Sequence, residues 1–173
     1  METVQIAHVD TSIGTLRVAS TEKGLGYVEL PRASGRGLRG WLHRHLPDAE
    51  CVESDERNRA AITQILEYLN GERTEFDLRL DLRGTKFQHQ VWEALLDIPF
   101  GERRSYRDIA VAVGRPTASR AVGAANGSNP VSLVVPCHRV INSDGKLGGF
   151  GGGLALKARL LAMESRAGDD RLL

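Results

Sequence analysis

Apolar and polar residues alternate through the first thirty positions, in V-Q-I-A-H-V, S-I-G-T-L-R-V and G-L-G-Y-V-E-L-P, with turn signals between the runs. A period of two with short breaks predicts antiparallel strands joined by tight turns. Gly35, Gly37 and Gly40 among arginines read as a loop. The period then changes: from about Arg57 to Leu69, residues Ile62, Ile65, Leu66 and Leu69 share one helical face, and Asn70-Gly71 ends the helix. Phe76, Leu78, Leu80 and Leu82 alternate with charged residues as an amphipathic strand, and Arg83-Gly84 closes this half.

Beyond Gly84 the pattern turns helical. Thr85 with Gln88 three positions later has the form of a capping box, and Val91, Trp92, Leu95 and Leu96 follow on a helix that Pro99 and Gly101 stop. In S-Y-R-D-I-A-V-A-V-G-R-P-T-A-S-R-A-V-G-A-A-N, one helix runs from about Tyr106 to Gly114 and a second begins near Thr117. That is helix-turn-helix spacing, and the second helix is small-faced, with Ala118, Ala121, Gly123, Ala124 and Ala125. Many helical hairpins share the spacing, so DNA contact and close helix packing both remain readings of it. From Pro130, V-S-L-V-V-P reads as a short buried strand ending at Cys137. A turn at Asn142, Asp144 and Gly145, the run G-G-F-G-G-G, and a final helix from about Leu154 to Glu164 follow, with a frayed tail from Arg166.

Composition narrows the class. The 173 residues suffice for one large domain or two small ones, and 41% apolar with 26% charged residues is ordinary globular usage. No apolar stretch approaches a membrane span, so no membrane is expected. The amino-terminal M-E-T-V-Q-I-A-H has no apolar signal core, which predicts a reducing, cytoplasmic setting in which the two cysteines, Cys51 and Cys137, are free thiols. The net charge of +1 conceals segregation: residues 1–81 carry −4, whereas residues 82–139 carry +4 through Arg83, Lys86, Arg103, Arg104, Arg107, Arg115, Arg120 and Arg139. A polyanion partner for the second half and a solvated basic face both fit that distribution.

The candidate chemistry lies in V-V-P-C-H-R-V, residues 134–140. A thiol attacks as a thiolate and needs a base or cation to ionise at neutral pH. His138 and Arg139 are the candidates, although adjacent side chains on a strand point to opposite faces, so a water would have to link thiol and imidazole. Cys137 as a simple core residue is the alternative. Metal ligation is not expected: Cys51, His43 and His45 lack a fourth ligand. A papain-like hydrolase pairs a cysteine at a helix start with a remote histidine, which this placement does not suit.

P-C-H-R-V, preceded by R-A-V-G and S-N-P and followed by the glycine run and G-G-L-A-L-K, closely resembles the O6-alkylguanine-DNA alkyltransferases. The likeness is continuous from about Gly84 to Glu164; before that it rests on the strands and F-D-L-R-L-D-L-R-G-T. It implies an α/β protein: a small amino-terminal antiparallel sheet-and-helix domain, residues 1–83, then a mainly helical, winged-helix-like domain, residues 84–173, carrying the helix-turn-helix and the active cysteine. The implied function is direct-reversal DNA repair, a single-use transfer of the alkyl group from O6-alkylguanine to Cys137, with O4-alkylthymine a second candidate substrate. No cofactor is implied.

The resemblance also assigns residues. His138 would act through a water as base for Cys137, with Glu164 orienting the imidazole and Asn129 bracing the active-site turn. The second helix, through Thr117, Ala118, Ala121 and Gly123, would enter the minor groove of double-stranded DNA while Arg120 fills the place of the flipped nucleotide. Tyr106 would crowd the target phosphate and touch the guanine edge. The carbonyls of Cys137 and Val140 would accept from the guanine amine, the Gly151 amide would donate to O6, and Lys157 would lie near the site. Phe150 stands where the family commonly has a tyrosine, which leaves the wall apolar and without a hydroxyl. A monomer is expected. The alternatives are an alkylated-base recognition protein without chemistry and a thiol hydrolase that turns over repeatedly.

Overall fold

The computed structural model describes residues 1–31 and 36–172, the side chains of 166–172 apart. The chain separates into two compact units, Met1–Arg83 with Pro130–Val134, and Gly84–Asn129 with Val135–Leu173.

The first unit is built on β1 (Thr3–Thr11), β2 (Gly14–Thr21) and β3 (Gly24–Glu29), the three strands that the alternation predicts. They pair antiparallel, and β4 (Glu50–Glu53) adds in parallel beside β1, which gives the order β3-β2-β1-β4. A bulge leaves Gly26 unpaired, and a side chain there would meet the Trp41 ring within 2.8 Å. That ring lies on α1 (Gly37–His45), so Gly37 and Gly40 belong to a helix rather than the expected loop; Gly35 lies outside the described residues. Leu38 and Trp41 drive this: they pack with Val4, Ala19 and Leu46 as a core patch, and burial outweighs the poor helix propensity of two glycines.

α2 (Arg59–Leu69) forms where the 3.6 period lies and buries Ala61, Ile65 and Tyr68. Asn58 fixes its start, accepting from the Ser20 hydroxyl at 2.6 Å and donating to the carbonyls of Gln5 and Ser54. The expected strand at Phe76–Leu82 does not form as a ladder. The segment is extended and alternates in burial, yet it touches β3 only through a bridge at Leu80, where Leu25 donates to Arg79 and accepts from Asp81. Farther along β3, Val28 donates to the carbonyl of Pro130 and bridges to Val131.

In the second unit, α3 (Lys86–Leu96) opens with the predicted capping box, and Trp92 on it donates to the Ala125 carbonyl at 2.9 Å. β5 (Arg104–Ser105) leads into α4 (Tyr106–Ala112), which carries a second capping box, Ser105 with Asp108. Gly114, at φ +75°, turns the chain toward α5 (Ser119–Gly127), so Thr117 and Ala118 precede the helix rather than begin it. α3, α4 and α5 pack on one another, and β6 (Val140–Ile141) pairs in parallel with β5. α6 begins at Leu154 as expected and runs to Leu172, well past Glu164. No helix among the described residues is long and apolar enough to cross a membrane.

Candidate active site

The residues before Cys137 depart from the expected strand. Leu133 takes φ +74°, a left-handed turn that no ladder accommodates, and Cys137–Arg139 form one turn of 3-10 helix behind Pro136. A run of valines next to proline is equally at home buried in a turn, which is why composition misreads it. With about three residues per turn, Cys137 and His138 point roughly a third of a circle apart rather than to opposite faces. Both are buried.

Three helices converge on this turn. From α5, Asn126 donates to the Cys137 carbonyl at 3.3 Å, and just after the helix Asn129 donates to the Val135 carbonyl at 2.8 Å. From α6, the Lys157 ammonium donates to the carbonyls of Val140 at 2.6 Å and Gly149 at 3.1 Å and lies 5.9 Å from the centre of the Tyr106 ring. Two turns of helix farther along α6, Glu164 Oε2 lies 2.7 Å from His138 Nε2. Arg139 grips the same carboxylate, Nε to Oε1 at 2.8 Å and Nη2 to Oε2 at 3.1 Å, and its Nη1 donates to the Ile98 carbonyl beyond α3.

Burial dominates the electrostatics. It pushes the Cys137 thiol up, against the hydrogen bond from Asn129, the charge of Lys157 and the backbone amides of the turn. It lowers Lys157 to about 8, which a thiolate at Cys137 opposes. For Glu164, burial works toward protonation, but the hydrogen bonds and charges of His138 and Arg139 outweigh it and bring the carboxyl to about 2. His138 is lowered, by burial first, against Glu164 and with the positive charges of Arg139 and Lys157. An ionised Glu164 can only accept, so Nε2 carries the imidazole hydrogen and Nδ1 is the basic nitrogen of the neutral ring. The arrangement is a buried thiol beside an oriented base.

A cavity of about 340 Å³ lies next to it, lined by Tyr106, Arg107, Arg120, Gly123, Asn142 and Gly149 among others. Tyr106 is half-buried, its hydroxyl raised by burial and by the nearby thiol and eased by a hydrogen bond with Asn126. Arg120 and Ala121 are exposed on α5. Thr117, Ala118, Phe150 and Gly151 lie outside that lining: the first two enter α5, and the last two belong to the glycine loop, where the Phe150 carbonyl accepts from Gly153. Gly148 earlier in that loop has φ +71°, and a side chain there would press on Tyr106 and Asn142.

The sequence names Arg139 as a candidate cation for the thiol, but its side chain pairs with Glu164 instead, as a cation buried in an otherwise apolar run demands an anion. Asn126 escapes a reading of the sequence altogether, and nothing in A-A-N-G-S-N separates it from a turn former.

Comparison with known proteins places the chain in a family. Residues 6–82 match the model of the 6-O-methylguanine DNA methyltransferase ribonuclease-like domain, and residues 86–166 match that of the 6-O-methylguanine DNA methyltransferase DNA binding domain. The chain is 45% identical over 164 residues to a methylated-DNA–protein-cysteine methyltransferase of Mycolicibacterium paratuberculosis, covering 94% of this chain and 93% of that one. It is 43% identical over 156 residues to the namesake from Methanosarcina barkeri, covering 90% and 94%. Among solved structures it resembles Mycobacterium tuberculosis OGT in complex with DNA, with a TM-score of 0.81 and 41% identity over 95% of this chain and 94% of that one. Matched along both halves, with its buried cysteine beside a histidine and a glutamate, the chain belongs to the methylated-DNA–protein-cysteine methyltransferase family.

Proposed function

We propose that this protein repairs O6-alkylguanine in double-stranded DNA by moving the alkyl group onto Cys137, once per molecule. The observation that carries the reading is a buried thiol in the same turn as an imidazole whose tautomer a carboxylate fixes. His138 Nδ1 takes the thiol proton through a water, and the resulting imidazolium is held by Glu164. The thiolate attacks the alkyl carbon in line: the S–C bond forms as the C–O6 bond breaks, the electron pair passes to the base, and a proton at N1 restores guanine. The thioether has no route back, so the protein is consumed.

DNA recognition follows from the second unit. A modified base inside a duplex is out of reach and must be flipped. The small, exposed face of α5, with Thr117 and Ala118 at its entry and Ala121 and Gly123 along it, suits a minor groove, and Arg120 occupies the vacated stack. Tyr106 crowds the phosphate at the cavity wall. Asn129 braces the turn that presents Cys137, and Phe150, the Gly151 amide and the carbonyls of Cys137 and Val140 contact the base. We take the two units as domains divided at Arg83–Gly84, the protein as a monomer, and its setting as the cytoplasm.

Incubation with a duplex bearing one O6-methylguanine, followed by mass spectrometry of the intact protein and its peptides, tests the reading. One methyl group on the Cys137 peptide, with repair halting at one equivalent, is the expected result. Tight binding without methylation would replace it with lesion recognition alone, and repeated turnover would replace it with hydrolysis.

A further inference from the structure

We infer that Arg139 is a positioning residue for the thiol-activating base: it holds Glu164 aimed and anionic so that His138 rests as the neutral imidazole. The inference builds on the alkyl-transfer reading but is tested separately from it. The guanidinium spans both oxygens of Glu164, and one of them, Oε2, is the atom that faces His138 Nε2. Gly101 donates to Oε1 at 3.3 Å, so at least four donors meet a carboxylate that has about four acceptor sites. Arg139 is itself fixed by the Ile98 carbonyl at 2.7 Å and by the Phe100 ring, 5.7 Å from its carbon Cζ.

Charge counting explains what this does. A buried histidine facing a lone carboxylate is drawn toward the ion pair, and an imidazolium cannot accept a proton. With Arg139 on the same carboxylate, the neutral imidazole leaves the cluster uncharged, and a proton from solvent would add an uncompensated charge beside Lys157. A proton from Cys137 adds none, because the thiolate appears with it. The cluster therefore favours its own thiol as proton source. The charged and titratable groups facing His138 are Glu164 and Lys157 from α6 and Arg139 and Cys137 from its own turn, with Tyr106 of α4 beside the thiol. On the α3 side, the Ile98 carbonyl and the Gly101 amide are backbone groups and do not titrate.

The experiment follows methyl uptake from an O6-methylguanine duplex between pH 5 and 9, and titrates the His138 ring nitrogens by NMR, in the wild type, Arg139→Met and Arg139→Lys. In the wild type, His138 should titrate below the ordinary value of about 6.5. Arg139→Met should move that midpoint up by about one pH unit, and its rate deficit should grow as pH falls from 8.5 to 5, approaching about tenfold where the pH lies below both midpoints. Arg139→Lys, which restores charge without the fork, should return the midpoint most of the way. Equal slowing at every pH with an unmoved midpoint would reduce Arg139 to packing and overturn the inference. Should Arg139→Met not fold, a wild-type midpoint above the ordinary value would overturn it unaided. A wild type that takes up no methyl would fell the alkyl-transfer reading, while the NMR midpoints would still decide the role of Arg139.

Discussion

The ammonium of Lys157 donates to the carbonyl of Val140 at 2.6 Å, so an oxygen to which the family resemblance assigns the guanine amine already has a donor. A carbonyl has two lone pairs, and both contacts fit only if Lys157 stays on one side. The same ammonium faces the thiol and ties the glycine loop through Gly149. Lys157→Met should raise the thiol midpoint and slow iodoacetamide labelling of Cys137 at pH 7 by about tenfold, since each unit of pKa is a factor of ten in thiolate. Labelling at an unchanged rate would remove Lys157 as a source of thiolate stabilisation.

Cys137→Ser should abolish methyl uptake and preserve binding to a methylated duplex, because a hydroxyl is far less ionised than a thiol at neutral pH. Cys51, exposed on edge strand β4, serves as the control. Cys51→Ala should repair at the wild-type rate, and mass spectrometry reads both variants.

Removing the charge at Arg120 should separate DNA from base. Arg120→Ala should weaken duplex binding and repair by about tenfold or more while reaction with free O6-alkylguanine changes little, as the residue is exposed on α5 and makes none of the hydrogen bonds that hold the active-site turn. Equal losses on the two substrates, compared by second-order rate constants, would exclude a flipping role.

Acid should unfold the second unit through Glu164. Its folded value of about 2 lies below the unfolded value of about 4.3, so its contribution is complete above the unfolded value and disappears as pH falls from there toward 2. Thermal melts across pH 2–6 should show that loss. Glu164→Gln should melt lower at neutral pH, by roughly 3–5 kcal/mol for a buried Arg139 left without its anion, and should vary less with acid.

Gly148→Ala should strain the loop beside Tyr106. Its left-handed backbone costs an L residue about 1–2 kcal/mol, and the new methyl would sit 3.0 Å from Asn142 Oδ1 and 3.1 Å from the Tyr106 ring. Slower repair with an intact melting transition of α3 to α5 is expected; unchanged repair would show that the loop yields freely.

Much of this was legible in the chain because local signals carried it. The β1 to β3 alternation, the Thr85–Gln88 box and the helix-turn-helix are each specified within about thirty contiguous residues, and each formed. The misread segments depend on distant partners. α1 exists because Leu38 and Trp41 reach Val4 and Ala19, and the turn before Cys137 exists because Val131 meets β3 rather than a strand of its own. At the site, P-C-H-R-V with G-G-L-A-L-K brought Cys137, His138, Lys157 and Glu164 within view. The buried Arg139–Glu164 pairing, separated by 25 positions, follows from geometry that no local pattern expresses.

The pairing of Val28 with Pro130 also has a consequence in time. A chain made from its amino end exposes β3 before its partner exists: Arg79–Asp81 covers the Leu25 end early, but the Val28 end waits until the helix-turn-helix has been synthesised. At ordinary translation rates that interval is on the order of ten seconds, during which an apolar strand edge stands open on the nascent chain. An amino-terminal fragment ending at Arg83 would keep that edge permanently, and it is there that such a fragment would aggregate.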